Sequence, residues 1–109
     1  LNKMDIALDD YIQSGRLKNG VLPSTKYCAD ILHLSSRYFS DLLKFETGKN
    51  LDEYFQLKRI EIAKRMLSAN ENTVSSVAEI LGFSSVQYFS NLFRKLVGVA
   101  PNEYRLSQN

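Results

Sequence analysis

The sequence contains few of the residues that build disulfides, metal sites or membrane segments. It has one cysteine, one histidine and no tryptophan among 109 residues. A single cysteine cannot form an internal disulfide, which predicts a reducing compartment, the cytoplasm. One cysteine with one histidine nearly excludes a structural zinc site. No apolar run approaches the ~18 residues that a membrane span needs, and no signal peptide is visible. We therefore expect no metal, no cofactor and no membrane segment.

Glycine and proline are also scarce. Five glycines and two prolines occur singly along the chain, a pattern that argues against disorder or low complexity. The length suits one domain, or two very small helical subdomains that share a connector. Because no histidine, cysteine or paired carboxylates cluster in the sequence, we do not expect an enzyme. The chain begins at Leu1 rather than methionine, and we expect it to be part of a longer protein.

The two halves of the chain differ in charge. The net charge is only +2, which alone predicts no partner. Residues 1–53 contain seven Lys and Arg against eight Asp and Glu, whereas residues 54–109 contain seven against four. This positive balance in the second half is a mild indication of polyanion binding there.

The stretch from Thr73 to Gly98 predicts two short helices joined by a tight turn. Thr73 is a good N-cap. Gly82 can take the positive φ that ends the first helix. The small Ala78, four residues earlier, allows the two helices to close at a steep angle. This spacing is typical of a DNA-binding helix-turn-helix.

The second helix of this stretch has two distinct faces. Either Ser84 or Ser85 can provide its N-cap. We expect its inward face to pack in the core through Phe89, Leu92, Phe93 and Leu96. The outward face then carries Val86, Gln87, Ser90, Asn91, Arg94 and Lys95.

The first half repeats this pattern. CADIL at 28–32 matches VAEIL at 77–81, and SSRYFSDLLK at 35–44 matches SSVQYFSNLFR at 84–94 after one inserted residue. Such internal similarity indicates a duplicated unit, hence two helix-turn-helices. His33 stands where the second copy has Gly82, and we interpret it as a turn residue at positive φ. Phe39 and Leu42 are expected in the core.

The remaining segments complete an all-α fold of about seven helices. An amphipathic lead-in helix is predicted from Asn2 to about Ser14, and a short last helix begins at Pro101. Between the copies, residues 51–69 contain no Gly or Pro and carry apolar residues on two sides, as expected for a helix that packs against two units. The predicted division is a first helix-turn-helix subdomain at 1–50, a linker helix at 51–69 and a second subdomain at 70–109, with a loop at 70–72.

Several of these motifs together resemble a known family. The linker contains KRIEIAKRML, and the second half contains AEILGFSSVQYFSNLFRKLVGVAPNEYR. Over nearly its full length the chain resembles the C-terminal DNA-binding domain of the AraC/XylS family of bacterial transcription regulators. The resemblance implies a monomeric domain that places two recognition helices in adjacent major grooves on one face of double-stranded DNA. The linker, roughly 28 Å long, is close to the ~34 Å between those grooves.

The resemblance also assigns roles to residues of the second recognition helix. Positions that tend to reach base edges are occupied by Val86, Gln87 and Asn91. Gln or Asn can bond adenine N6 and N7 together, and Val86 can pack on a thymine methyl. Positions that suit phosphate contacts are occupied by Ser84, Ser85, Tyr88, Arg94 and Lys95.

In the first recognition helix the equivalent base-reading positions are Ser36, Arg37, Ser40 and Asp41. The phosphate positions are Tyr38 and Lys44. Arg37 can pair with guanine O6 and N7. Asp41 departs from the family, in which a basic or neutral residue is common. It can accept a hydrogen bond from cytosine N4, form an ion pair with Arg37 one helical turn before it, or weaken the binding of the first half to DNA.

Some alternatives stay open at this point. For Tyr38, Tyr88, Lys58 and Arg65, a phosphate contact and simple surface exposure are both compatible with the sequence. The resemblance further implies RNA polymerase as a partner of the full-length protein, and an N-terminal sensor or dimerisation domain that is missing from this chain. The competing hypothesis is a helical protein-interaction module that does not read DNA, which should expose an apolar patch on the outward faces.

Overall fold

The computed structural model describes residues 2–19, 21–69 and 72–108. Within these ranges the chain forms seven α-helices and no β-strand, which confirms the predicted all-α fold. The helices are α1 (Asn2–Gln13), α2 (Thr25–Ile31), α3 (Ser36–Thr47), α4 (Leu51–Ser68), α5 (Val74–Ile80), α6 (Val86–Val97) and α7 (Pro101–Ser107). A 3-10 helix, Arg16–Asn19, follows α1. None of the helices in these ranges is both long and apolar enough to cross a membrane.

The first helix-turn-helix consists of α2 and α3, and local sequence determines its ends. The hydroxyls of Ser24 and Ser35 accept hydrogen bonds from the first turns of α2 and α3 and serve as their N-caps. His33 lies in the turn between them with φ +58°, as the repeat predicts. Gly48 ends α3 in the left-handed region.

The second helix-turn-helix, α5 and α6, repeats this construction. Thr73 caps α5 and Ser85 caps α6, while Gly98 ends α6 in the left-handed region. Gly82 occupies the turn with φ +78°. The predicted loop at 70–72, just before this unit, falls mainly on residues 70 and 71, which lie outside the described ranges.

The linker helix α4 contacts both units, as its sequence predicts: α3 in the first, and α5 and α7 in the second. It starts with a capping box in which the Asn50 side chain accepts from the Glu53 N–H and the Glu53 carboxylate accepts from the Asn50 N–H. Its N-terminal half buries Phe55, and its C-terminal half buries Ala63 and Leu67. The helix thereby contributes to one continuous hydrophobic cluster that includes buried residues of both halves.

Cys28 lies inside this cluster. Its side chain is fully buried on α2, and burial raises the pKa of the thiol from 9.0 to about 11. The thiol therefore stays protonated at neutral pH and packs as a small hydrophobic group, which matches its repeat partner Val77, also fully buried.

The two halves touch at the turn of the second helix-turn-helix. Leu17, in the 3-10 helix after α1, is fully buried, and a Cβ added at Gly82 would lie 2.6 Å from the Leu17 carbonyl oxygen. Only a glycine allows this approach, since 2.6 Å is shorter than any real Cβ contact. The relative position of the halves is therefore fixed at this contact as well as through α4.

Two expected core residues lie elsewhere. Leu96 is 42% exposed, and Leu42 is only half-buried and stays outside the core cluster, in which Leu43 is buried instead. The reason for Leu96 is its position beside the linker helix. Leu96 lines an open groove together with Leu92 and with Leu57 of α4, so its side chain stays in contact with solvent.

Candidate nucleic-acid interface

The outward face of α6 is polar and accessible. Val86, Gln87, Asn91, Arg94 and Lys95 are all exposed, and Ser90 between them is half-buried. Phe89 and Phe93 on the opposite face are fully buried. The structure thus exposes every α6 residue that the sequence assigns to base or phosphate contact.

Two amides on this face are joined. Gln87 Nε2 donates to Asn91 Oδ1 at 3.2 Å, one helical turn away. The pair lies in the first two turns of α6, where a recognition helix in the major groove meets base edges. This hydrogen bond restricts how both amides present their remaining donors and acceptors.

The linker helix α4 contacts the first turn of α6 through a hydrogen bond between Gln56 and Tyr88. Tyr88 accepts a hydrogen bond at its hydroxyl from Gln56 Nε2 at 3.2 Å, and its ring packs edge-on against Phe83. Because the Tyr88 hydroxyl accepts from Gln56, its own O–H remains available to donate outward. The Ser85 hydroxyl caps the Tyr88 N–H at 3.0 Å and likewise keeps its proton, while Ser84 is exposed.

Arg59 supports the same turn, a role that was not predicted from the sequence. Arg59 is only 8% exposed, and its guanidinium lies 4.1 Å from the centroid of the Phe83 ring. Arg59 Nη1 donates to the Leu81 carbonyl at 3.0 Å, at the end of α5. Burial lowers the pKa of this guanidinium. The side chain positions the turn of the second helix-turn-helix and is not accessible for contact with DNA.

The spacing of apolar residues on α4 could have revealed Arg59. It lies four residues after the buried Phe55 and four before the buried Ala63, so it belongs to the same inward stripe. A charged residue at such a position requires a partner inside the fold.

On α3 the predicted residues are again on the surface. Ser36, Arg37, Tyr38, Ser40, Asp41 and Lys44 are all exposed. Lys44 Nζ donates to the Gly48 carbonyl at 3.1 Å, at the C-terminal end of its own helix. Arg37 and Asp41 are both in the described part of the chain, and they form no ion pair there. The Arg37 guanidinium is therefore free to contact a ligand.

Phe45 interrupts the polar surface of α3. Its side chain is 88% exposed, the largest exposure among the apolar residues that the structure exposes. Its repeat partner on α6 is Lys95. The two recognition helices therefore differ in their last turns, where α6 presents two cations and α3 presents one cation and an aromatic ring.

The linker lysine Lys58 has an internal partner. Its ammonium lies 3.3 Å from Asp9 and 3.9 Å from Asp5, both on α1, and its side chain is 19% exposed. This ion pairing ties α1 to α4 and decides against the phosphate contact that the sequence left open for Lys58. Arg65, on the same side of α4, remains exposed.

Comparisons with known proteins identify relatives of this architecture. A family model described as a helix-turn-helix domain matches residues 28–107. The HTH-type transcriptional regulator YobQ of Bacillus subtilis (strain 168) is 39% identical over 80 residues, covering 73% of this chain and 33% of that protein. The probable transcriptional regulator LumQ of Photobacterium leiognathi is 30% identical over 100 residues, covering 92% of this chain and 39% of that protein.

A solved structure agrees with these relatives. The crystal structure of a transcriptional regulator from Chromobacterium violaceum, described as an AraC-type DNA-binding domain-containing protein, is similar with a TM-score of 0.73 at 26% identity, covering 78% of this chain and 76% of that one. The present chain spans only 33% and 39% of the length of the two curated relatives.

Proposed function

This chain belongs to the AraC/XylS family of helix-turn-helix DNA-binding domains, and we propose that it binds double-stranded DNA sequence-specifically, with α3 and α6 in adjacent major grooves. The family consists of DNA-binding transcription regulators rather than enzymes. One observation carries the proposal: the helix-turn-helix occurs twice, and in each copy the second helix, α3 or α6, exposes a polar outward face.

Base reading in the second unit is assigned to the first two turns of α6. Gln87 and Asn91 reach adenine or neighbouring base edges, and Val86 packs on a thymine methyl. Their exposure supports this assignment.

Base reading in the first unit is assigned to the corresponding turns of α3. Arg37 is free of Asp41 and can pair with guanine O6 and N7, while Asp41 can accept from cytosine N4. The hydroxyls of Ser36 and Ser40 can bond to either donors or acceptors.

Phosphate contacts orient the protein on the duplex without reading sequence. Tyr88 donates its free O–H to a phosphate oxygen, held in place by Gln56. The full set that we assign to phosphate contact is Tyr38, Lys44, Ser84, Ser85, Tyr88, Arg94 and Lys95.

The dimensions of the molecule suit two grooves. The linker α4 is about 27 Å long at 1.5 Å per residue, and the longest dimension of the chain is 43 Å. Successive major grooves on one face lie about 34 Å apart. These dimensions are compatible with two recognition helices that reach successive major grooves of one duplex.

The salt dependence of binding tests the electrostatic part of this proposal. Of the assigned phosphate contacts, three are cationic, Lys44, Arg94 and Lys95. We expect log Kobs for a duplex enriched from a random library to fall with log[salt] at a slope of about −3, since each neutralised phosphate contributes about −0.9.

A matched pair of variants makes this test specific. Lys95→Ala should reduce the slope by about 1, whereas Lys3→Ala, on the exposed face of α1, should leave it unchanged. A slope near zero for the wild-type protein, or equal slopes for all three proteins, would contradict the assignment.

The role of the longer protein is also a proposal. We infer that the chain is the DNA-binding part of a bacterial transcription regulator that acts in the cytoplasm and contacts RNA polymerase, with an N-terminal sensor or dimerisation domain outside this chain. Support comes from the named relatives, of which this chain spans only 33% and 39%. The competing function, a protein-interaction module, is favoured by one observation, the exposed Phe45 on α3.

A further inference from the structure

The Gln87–Asn91 hydrogen bond limits what α6 can recognise. The residues are four apart, so their side chains lie one above the other on the same helix face. Both side chains are exposed. Within the described residues, the 3.2 Å bond from Gln87 Nε2 to Asn91 Oδ1 is the only hydrogen bond that either amide makes to the protein. Each amide has two N–H donors and one oxygen acceptor. The groups that the bond leaves unused face outward, toward a ligand.

The unused groups of Gln87 match one base. One Nε2–H is directed to Asn91, which leaves the second Nε2–H and Oε1. Adenine presents the N7 acceptor next to the N6 donor in the major groove, and this is the complement of those two groups. Rotating the Gln87 amide by 180° would bring Oε1 against Asn91 Oδ1, two acceptors without a proton between them. Only a joint rotation of both amides would keep a hydrogen bond between them, and it would exchange their roles; in the orientation that the structure shows, Gln87 is held so that it reads adenine.

The unused groups of Asn91 match a different class of base. Its Oδ1 is engaged by Gln87, so Nδ2 presents two donors. Guanine offers the two acceptors O6 and N7, and thymine offers O4 with no donor beside it, whereas adenine places the N6 donor beside its N7 and cytosine offers only the N4 donor. Four residues of helix rise about 6 Å, and base pairs are spaced about 3.4 Å apart. Asn91 therefore meets a base one or two pairs away from the adenine.

We propose that Gln87 and Asn91 act as one recognition unit that reads an adenine and, one or two base pairs away, a guanine or thymine. This inference rests on the proposed DNA binding by α6. In it Asn91 has two roles: it contacts its own base, and it positions the Gln87 amide for the adenine.

The test is selection of duplexes from a random-sequence DNA library by the wild-type chain and by variants. Wild type should enrich the adenine and the guanine or thymine. Gln87→Ala should lose the adenine preference. Asn91→Ala should weaken the preference at both positions, although it touches one of them. Asn91→Asp keeps an acceptor for Gln87 but has no donor, so it should retain the adenine, at weaker overall affinity, and lose the guanine or thymine. Gln13→Ala, an exposed residue at the end of α1, is the matched control and should select the wild-type sequence.

Affinity measurements on the best duplex complete the test. If the two residues act as a unit, their effects are not independent. The fold-loss of affinity in the double variant Gln87→Ala/Asn91→Ala should then be at least about threefold smaller than the product of the fold-losses in the two single variants. Losses that multiply, together with an intact adenine preference in Asn91→Ala, would overturn the inference while leaving DNA binding in place. Selection of guanine at the position governed by Gln87 would also overturn it. A wild-type chain that enriches no sequence would overturn the proposed function itself.

Discussion

At the scale of single residues, Tyr54 links the linker helix to the lead-in helix through one short contact. Its hydroxyl donates to Asp5 Oδ1 at 2.6 Å. Desolvation, together with this hydrogen bond and the Asp5 charge, raises the pKa of Tyr54 from 10.0 to about 12. The neutral tyrosine is thus the form that the fold stabilises.

This pKa predicts how stability changes in alkaline solution. Below pH 10 the folded and unfolded chains both keep the Tyr54 proton, so its contribution is complete. Between pH 10 and pH 12 the unfolded chain loses that proton first, and the contribution falls as pH rises. We expect Tyr54→Phe to be about 1–2 kcal/mol less stable than wild type at pH 8, and this difference to shrink above pH 10.

Urea unfolding followed by circular dichroism at several pH values measures this difference. Tyr38→Phe, at an exposed tyrosine on α3, is the control and should track wild type throughout. A gap between wild type and Tyr54→Phe that stays constant from pH 8 to pH 11.5 would show that the hydroxyl proton is not shared with Asp5.

Phe45 offers a second prediction at this scale. Its repeat partner Lys95 is assigned to a phosphate, so Phe45→Lys places a cation at the equivalent site of α3. Because each new phosphate contact adds about −0.9 to the salt slope, the variant should bind DNA more tightly at low salt with a steeper slope. Phe45→Ala should bind DNA as wild type does. If instead Phe45→Lys left DNA affinity and slope unchanged, position 45 would face away from the duplex and the interaction-module hypothesis would gain support.

The sequence predicted surface residues better than buried charges. All the assigned DNA-contacting residues are exposed, because the period of 3.6 separates the two faces of each short helix. The spacing on α4 could mark Arg59 as an inward residue, but the partners of Arg59 and Lys58 could not be predicted, since Leu81, Asp5 and Asp9 lie 22 or more residues away. Distances of that kind follow from tertiary packing and leave no local signature.

At the scale of elements, the contact between the 3-10 helix and the turn before α6 predicts an unequal response of two glycines. Gly82 and Gly48 both have positive φ, +78° and +74°. A Cβ at Gly48 would meet nothing within 4 Å, whereas one at Gly82 would meet the Leu17 carbonyl oxygen at 2.6 Å. Alanine at either site suffers the left-handed backbone cost of roughly 1–2 kcal/mol.

Gly82→Ala should therefore be less stable than Gly48→Ala by about 1–3 kcal/mol, the usual cost of overpacking. Thermal and urea unfolding of both variants provide the comparison. Equal losses would mean that the 3-10 helix does not press on this turn in solution.

For these elements, the sequence predicted the ends of the helices but not the 3-10 helix. Thr73, Ser85 and Gly48 marked helix ends correctly because caps and left-handed glycines act within one turn of the chain. The 3-10 helix Arg16–Asn19 lies beyond the lead-in helix that the sequence predicts to end at about Ser14. It has only four residues, and the contact of its buried Leu17 lies at Gly82 in the other half, so no periodicity could predict it.

At the scale of the whole molecule, the duplication and the long linker were predictable and the contact between the halves was not. The repeat at 28–32 and 77–81 and the uninterrupted helix at 51–68 are properties of the sequence itself. The predicted division into subdomains at 1–50, 51–69 and 70–109 remains a prediction. The buried cluster runs through both halves, and we expect the two recognition helices to approach DNA as parts of one body.

Protection of guanine N7 from methylation tests the central claim most directly, because N7 lies in the major groove. The chain should be bound to the duplex that it selects from a random library. We predict two protected blocks on one face of that duplex, centred about one helical turn, 10–10.5 base pairs, apart. A single protected block, with the rest of the duplex as reactive as free DNA, would contradict the claim that both α3 and α6 read DNA.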